Sequence, residues 1–229
     1  MSIVIFDIDG TLCLTSEVDD ACWCQAAREV LGVESMTTDW GAYPHSTDEA
    51  IASALIRTHQ GGEPTRTLLD HLRDRFVELL QEAHEVDPGL FRETPGAAEV
   101  VRALRSGGHS VAIATGGWER SARFKLACAG IPAADLPAAF ADDAHPREEI
   151  ITIALGRVAE MSASSPPAGT KPVYVGDGIW DFRAAEKLGA GFIGIATGQR
   201  SEALAQAGAQ QILADFSDLP GFMEALERA

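Results

Sequence analysis

The chain has 229 residues, of which 46% are hydrophobic and 23% charged, and these values are typical of a globular protein. That length lies near the upper limit for a single hydrophobic core, so we expect one large domain or a core with a smaller inserted domain. With 34 acidic and 18 basic residues the formal net charge is −16, which disfavours binding to nucleic acid and to anionic membrane surfaces.

The first predicted element is a strand over residues 3–6, because a short β-rich apolar run bounded by turn residues is typical of a buried parallel strand. Side chains alternate along a strand, so Asp7 and Asp9 leave its end on the same side. Two such acids repel each other unless a cation or a shared proton intervenes, and a hard divalent ion such as Mg²⁺ suits carboxylate ligands. The alternative is that both are ordinary capping and turn residues.

Helical periodicity follows, with predicted helices over 18–30, from 46 to the glycines at 61 and 62, and over 65–84. The second helix is predicted to begin with a capping box formed by Ser46 and Glu49. Three helices directly after the first strand do not form a simple crossover. We therefore predict a helical domain, residues 15–89, inserted into a core made of residues 1–14 and 90–229.

Strands and helices alternate in the remainder of the chain. We predict strands over 110–114, 139–141, 172–175, 192–195 and 212–213, and a loop over 162–170 from its Ser, Pro and Ala content. The predicted helices begin at Thr94-Pro95, cover 119–129, 146–160, 181–188 and 202–206, and resume at 219. This alternation predicts an α/β fold with a doubly wound parallel sheet and right-handed crossovers.

Polar residues follow two more of the predicted strands. Thr115, Gly116 and Gly117 come after the strand over 110–114, and a hydroxyl with free glycine amides suits phosphate oxygens. Asp177 and Asp181 lie in the segment GDGIWD after the strand over 172–175. Asp177 adds a third carboxylate for an ion, and Asp181 can reach a coordinated water. A parallel sheet brings all of these groups to one rim.

The segments DIDGT at 7–11, ATGG at 114–117 and GDGIWD at 176–181 together resemble motifs I, II and IV of the haloacid dehalogenase superfamily. The helical insert is similar to that superfamily's C1 cap, so the resemblance covers the whole chain. It implies a Mg²⁺-dependent phosphatase that acts on a small phosphorylated metabolite. Asp7 would be the nucleophile that carries an aspartyl-phosphate, and Asp9 the general acid and base. The ion would be held by Asp7, Asp177 and the Asp9 carbonyl, with Asp181 contributing through water.

The third motif departs from the family pattern, in which a lysine, often followed by proline, precedes the helix before motif IV. Here the segment reads DDAHPREEI at 142–150, and His145 stands where that lysine would fall. We favour Arg147, which keeps a permanent cation at the helix start and can bridge Asp7 to phosphate. Lys125 and His145 are the alternatives for this role, and Arg147 could also be an ordinary exposed residue.

Other activities fit the motifs less well. An acid at position 9 argues against a dehalogenase, because halide leaves without a proton, and the first predicted cap helix has no lysine of the phosphonatase type. Transfer to a sugar hydroxyl, as in related phosphomutases, stays open. From a different class, a phospho-accepting receiver module shares the sheet, the aspartate and Mg²⁺. Receiver domains, however, are smaller, have an adjacent acidic pair and lack a helical insert.

Aromatic residues near the motifs have two interpretations each. Trp40, Tyr43 and His45 lie in the loop between the first two predicted cap helices, where they contact substrate or anchor the loop. Trp118 and Trp180 flank the second and fourth motifs, and for both we favour packing over lining the site.

The cysteines and the apolar segments indicate the compartment. Cys13, Cys22, Cys24 and Cys128 lack zinc-type spacing, and no apolar run approaches the roughly 20 residues that span a bilayer. The first residues also lack the basic segment of a secretory signal. We therefore expect a cytoplasmic protein with reduced cysteines and no membrane partner. The oligomeric state has no signal in the sequence.

Overall fold

The structure is a computed structural model that describes residues 1–43, 45–161 and 171–229. Within these ranges, strands and helices alternate except that four helices follow the first strand. The strands are β1 (Ile3–Phe6), β2 (Ser110–Ala114), β3 (Ala138–Ala139), β4 (Val173–Gly176), β5 (Gly191–Ile195) and β6 (Gln211–Leu213). The helices are α1 (Ser16–Leu31), α2 (Asp48–Gln60), α3 (Arg66–Val86), α4 (Ala97–Ser106), α5 (Glu119–Cys128), α6 (Arg147–Met161), α7 (Ile179–Leu188), α8 (Gly198–Ala207) and α9 (Leu219–Arg228).

The six strands form one parallel sheet in the order β3-β2-β1-β4-β5-β6, which confirms the predicted α/β fold class. β1 is central and pairs with β2 on one side and with β4 on the other. Strands β2 and β3 therefore lie on one side of β1, and β4, β5 and β6 lie on the other, so the order of the strands switches sides at β1. In open α/β sheets such a switch point leaves a crevice beyond the carboxyl ends of the strands.

Both faces of β1 are buried, which explains its uninterrupted apolar run. Val4 and Phe6 face one layer, where the Phe6 ring lies 6.1 Å from Phe216 and 6.3 Å from Phe222. Ile3 and Ile5 belong to the core on the opposite face of the sheet. Helices thus cover the sheet on both sides, as a parallel sheet requires.

Helices α1, α2 and α3 bury a separate apolar cluster, which we call the three-helix unit. Its centre holds Trp23 of α1 and Phe76 of α3, both buried. Trp118, which precedes α5, stacks on Trp23 with ring centroids 5.9 Å apart and packs edge-on against Phe76. The unit therefore contacts the segment after β2 through aromatic side chains beside the second motif.

Several predicted helix starts differ from the structure, the largest difference being that of α8, which was predicted from 202 and begins at Gly198. For α2 and α4 the structure shows the reason. Helix α2 begins at Asp48, and the Ser46 hydroxyl donates to the Trp40 carbonyl instead of capping, while Glu49 accepts hydrogen bonds from Arg73 and Trp118. The predicted capping box of Ser46 and Glu49 is therefore absent. Helix α4 begins at Ala97 because the preceding glycine has φ +82°, which ends the turn begun at Thr94-Pro95.

Three further expectations concern the rest of the chain. All four cysteines are free thiols, as expected. Among the described helices, none has both the length and the apolar character that crossing a bilayer needs. The loop predicted over 162–170 lies outside the described residues.

Phe76→Ala is expected to lower the free energy of unfolding by about 3–5 kcal/mol, because it removes a fully buried ring and leaves a cavity beside Trp23 and Trp118. Urea denaturation measures the effect. The control Val86→Ala truncates a side chain that is 87% exposed and should change stability little. A similar small change for both variants would contradict the assignment of this cluster as a packed core.

Candidate active site

A cavity of about 310 Å³ opens at the carboxyl ends of β1, β2 and β4 and is covered by the three-helix unit. Seven of the candidate site residues named from the sequence line the cavity: Asp7, Asp9, Thr115, Gly116, Gly117, Arg147 and Asp177. Asp181 is fully buried and is not one of the residues that line the cavity. The three-helix unit and the loop after α1 contribute residues such as Asp20, Trp40 and Ile51.

Three buried carboxylates meet at the floor of the cavity. Oxygens of Asp7, Asp177 and Asp181 all lie within 4.8 Å of one another. Burial, followed by the charge of Asp181, raises the pKa of Asp7 to about 7, and burial likewise holds the pKa of Asp177 well above its ordinary value. Three carboxylates this close need a positive charge, and hard oxygen donors are suited to a divalent cation.

A glycine allows Asp177 to approach the turn after β1. Gly10 has φ +76°, and a Cβ at this position would lie 2.3 Å from Asp177 Oδ2. Any larger residue at position 10 would therefore displace the Asp177 carboxylate from its place beside this turn.

Arg147 supplies a cation to this cluster. Its Nη1 lies 3.0 Å from Asp7 Oδ1 and 3.5 Å from Asp181 Oδ1, and its Nη2 donates to the Ser46 carbonyl at 2.9 Å. Of the three cations considered for the third motif, Arg147 is the one in contact with Asp7. Lys125 contacts other acids, and the His145 side chain is exposed.

Asp9 lines the cavity apart from the three clustered carboxylates, and both of its oxygens accept hydrogen bonds. Oδ1 accepts from the Thr15 hydroxyl at 2.5 Å, and Oδ2 accepts from Lys125 Nζ at 2.5 Å. The same ammonium donates to Asp19 Oδ1 at 2.6 Å. Burial alone lowers the pKa of Lys125, but the charges of Asp19 and Asp9 outweigh it and hold that pKa above its ordinary value. Lys125 is therefore charged at neutral pH.

The loop after β2 differs in one respect from the expected phosphate cradle. The Gly117 amide, expected to be free, donates to the Thr115 hydroxyl at 3.2 Å. The Gly116 carbonyl accepts from the Asp48 amide at 2.8 Å, so the start of α2 lies directly on this loop. A Cβ at Gly116 would lie 2.4 Å from the Ser46 carbonyl oxygen. Only glycine allows this close contact between the two segments.

Beside the cavity lie four acids and one cation that sequence reasoning missed: Asp19, Asp20, Asp39, Asp48 and Arg200. Asp48 is buried, and its carboxylate accepts from Trp23 Nε1 at 2.9 Å and from the Trp118 amide at 2.8 Å. Burial raises the pKa of Asp48 to about 6. The Ser-Thr-Asp-Glu segment drew attention to this position, but as a helix cap. Asp19 carried no signal beyond its place in a helical pattern.

Arg200 is the missed cation. Its Nη1 lies 2.6 Å from Asp177 Oδ2, although the side chain is 58% exposed. The predicted start of α8 at residue 202 placed it in a loop, and nothing in the sequence links it to Asp177. The acids at the floor of the cavity thus have arginine partners from both α6 and α8.

The aromatic residues divide between the cavity and the core. Trp40 and Trp180 line the cavity, and Trp40 Nε1 donates to Asp20 at 2.9 Å. Tyr43 stacks on Trp40, so it anchors the loop, and His45 is exposed. Trp118 is a packing residue, as favoured, whereas Trp180 contributes to the cavity wall.

Comparison with known proteins gives a matching family model and solved structures with the same fold. A family model described as haloacid dehalogenase-like hydrolase matches residues 1–189. A hydrolase from Pseudomonas syringae is 20% identical with a TM-score of 0.73, and the match covers 98% of each chain. CbbY from Rhodobacter sphaeroides in complex with phosphate is 22% identical (TM-score 0.69, 96% of each chain). A predicted phosphoglycolate phosphatase from Haemophilus somnus is 17% identical (TM-score 0.66, 97% of this chain and 98% of that one). These likenesses show the fold, and the search of curated proteins gave no match.

Gly116→Ala is expected to lower the free energy of unfolding by about 1–3 kcal/mol, because the added methyl group overlaps the Ser46 carbonyl and Arg147 Nη2. The matched control is Gly156→Ala in the middle of α6, where the new Cβ meets no atom outside its own helix backbone within 4 Å. The control should raise stability by about 0.8–1.0 kcal/mol through helix propensity. Equal stability changes in both variants, measured by urea denaturation, would refute the close contact at Gly116.

Proposed function

Because the chain belongs to the haloacid dehalogenase-like hydrolase family, we propose that it is a Mg²⁺-dependent phosphatase that hydrolyses a small phosphate monoester through an aspartyl-phosphate on Asp7. The observation that carries the proposal is the position of Asp7. Its carboxylate lines the cavity beside the Thr115 loop, contacts Arg147 and belongs to a three-carboxylate cluster. The proposed nucleophile, the loop assigned to the phosphate and the Arg147 guanidinium therefore line one cavity.

The donor set fits Mg²⁺. We assign its ligands as the carboxylates of Asp7 and Asp177 and the main-chain carbonyl of Asp9, with Asp181 acting through a water. Asp181 accepts from the Gly178 amide at 3.0 Å, which restrains the orientation of its carboxylate. All donors are oxygens, as this ion requires. When bound, the ion neutralises phosphate charge so that an anionic nucleophile can approach.

The chain's own residues perform two displacements. In the first, a carboxylate oxygen of Asp7 attacks phosphorus and the ester P–O bond breaks, while Asp9 gives a proton to the departing alkoxide. In the second, Asp9 takes a proton from water, and that water attacks the phosphorus of the aspartyl-phosphate. The bond between Asp7 and phosphorus breaks, which releases inorganic phosphate and regenerates both carboxyl groups.

Arg147 and Thr115 position the phosphoryl group in this proposal. Arg147 is held between Asp7 and the Ser46 carbonyl, so its guanidinium stays beside the nucleophile instead of sampling solvent. A planar guanidinium can donate to a carboxylate and to a phosphate oxygen together. Thr115 and Gly116 line the cavity on the side of β2 and supply a hydroxyl and an amide.

We assign residues 15–89 as a cap domain on a core of residues 1–14 and 90–229. The separate apolar cluster of the three-helix unit and its position over the cavity support this division. A cavity of about 310 Å³ suits a small phosphorylated metabolite. CbbY from Rhodobacter sphaeroides, which shares the fold, was solved in complex with phosphate, and this supports a phosphorylated ligand.

Asp7→Asn is expected to lower the turnover of p-nitrophenyl phosphate in Mg²⁺ by at least about 10³-fold, because an amide cannot form the covalent intermediate. The variant should fold, since Asn has nearly the same shape and removes a charge from a crowded acidic cluster. Asp74→Asn, at an exposed residue of α3 paired with Arg120, is the control and should keep wild-type turnover. Wild-type turnover by Asp7→Asn would contradict the assignment of the nucleophile.

A further inference from the structure

Lys125 is a buried cation with no role in the two displacements described above. It lies on α5, its side chain is 1% exposed, and its Nζ contacts Asp9 Oδ2 at 2.5 Å and Asp19 Oδ1 at 2.6 Å. A buried ammonium is costly unless it is paired and hydrogen-bonded. The two short contacts to carboxylates compensate the cost of burying this ammonium group.

The partners of Lys125 come from two parts of the chain. Asp9 belongs to the turn after β1, whereas Asp19 belongs to the first turns of α1 in the three-helix unit. Thr15, which holds the other oxygen of Asp9, immediately precedes α1, and its carbonyl accepts from the Asp19 amide at 2.9 Å. The Asp9 carboxylate is thus held from one side by the start of α1 and from another by α5.

These contacts fix the orientation of Asp9. Both carboxylate oxygens have short hydrogen bonds, so rotation of the side chain would break at least one of them. The side chain is still 22% exposed and lines the cavity, which leaves it accessible to a bound ester. A group that transfers a proton must be held within hydrogen-bond reach of the atom that receives it.

We propose that Lys125 is a positioning residue for proton transfer, a role that rests on the proposed function. It orients the Asp9 carboxylate toward the leaving group, and through Asp19 it couples this orientation to α1. Among the described residues, the hydrogen bonds and ion pairs of the Lys125 ammonium are those to Asp9 and Asp19, and none joins it to Asp7. Its removal therefore acts on the step in which the alkoxide receives a proton, and leaves the nucleophile and Arg147 in place.

The leaving group distinguishes this role from a purely structural one. An aliphatic alkoxide needs a proton as the ester bond breaks, whereas p-nitrophenolate is stable as an anion and leaves without one. A misplaced Asp9 therefore slows alkyl esters far more than this aryl ester. The parameter kcat/KM reports the steps up to the breaking of the ester bond, so it excludes the later hydrolysis of the aspartyl-phosphate.

The experiment measures kcat/KM for β-glycerophosphate and p-nitrophenyl phosphate in Lys125→Met, which keeps much of the side-chain volume and removes the charge. We expect a loss of about 10²-fold for the alkyl ester, the size of a general acid contribution, and a much smaller loss for the aryl ester. Lys125→Arg should restore part of the alkyl activity. The matched control Lys187→Met alters an exposed lysine paired with Glu148 and should leave both values unchanged.

A second variant covers the case in which Lys125→Met does not fold because Asp19 loses its partner. Lys125→Met combined with Asp19→Asn removes both charges and should still lose alkyl activity selectively. Equal losses on the two esters, or wild-type values for both, would overturn the positioning role. Failure of the wild-type protein to hydrolyse either ester would instead overturn the proposed function.

Discussion

The site depends on one electrostatic constraint, the convergence of Asp7, Asp177 and Asp181 within 4.8 Å in a buried place. Such a cluster opposes folding unless positive charge is supplied, because burial and mutual repulsion both disfavour the ionised carboxylates. The parallel pairing of β1 with β4 brings the acids together, and a glycine at position 10 removes the Cβ that would separate them. The fold thus keeps three carboxylates close together, and their negative charges favour the binding of a cation.

The cations that pair with the acids in and beside this cluster come from three different helices. Arg147 at the start of α6 contacts Asp7, Lys125 of α5 contacts Asp9, and Arg200 of α8 contacts Asp177. Each pair joins a helix to the rim of the sheet, so these charges also help to position the helices against the sheet. Asp48 differs, because its carboxylate accepts hydrogen bonds from N–H groups of Trp23 and Trp118. These bonds join the three-helix unit to the loop after β2.

The sequence predicted the elements and motifs that have local signals. The apolar run of β1, the glycine turns after β1, β2 and β4, and the alternation of strands with helices are all readable without a structure. The predicted capping role of Ser46 was wrong, because its hydroxyl donates to the Trp40 carbonyl and the local sequence pattern does not reveal this contact. The partners of Lys125 and Arg200 were unreadable, since they are set by the packing of elements distant in sequence.

The most direct test of the shared cation site is calorimetric titration of Mg²⁺ into the wild-type protein, Asp7→Asn, Asp177→Asn and the double variant. Mutation of a residue that only supports a metal ligand typically lowers metal affinity by about 10- to 100-fold. We predict that each single variant loses more Mg²⁺ affinity than this. We also predict that the double variant is not additively weaker, because both carboxylates bind the same ion. Affinity unchanged in either single variant, or losses that add independently, would contradict a single ion shared by the two ends of the chain.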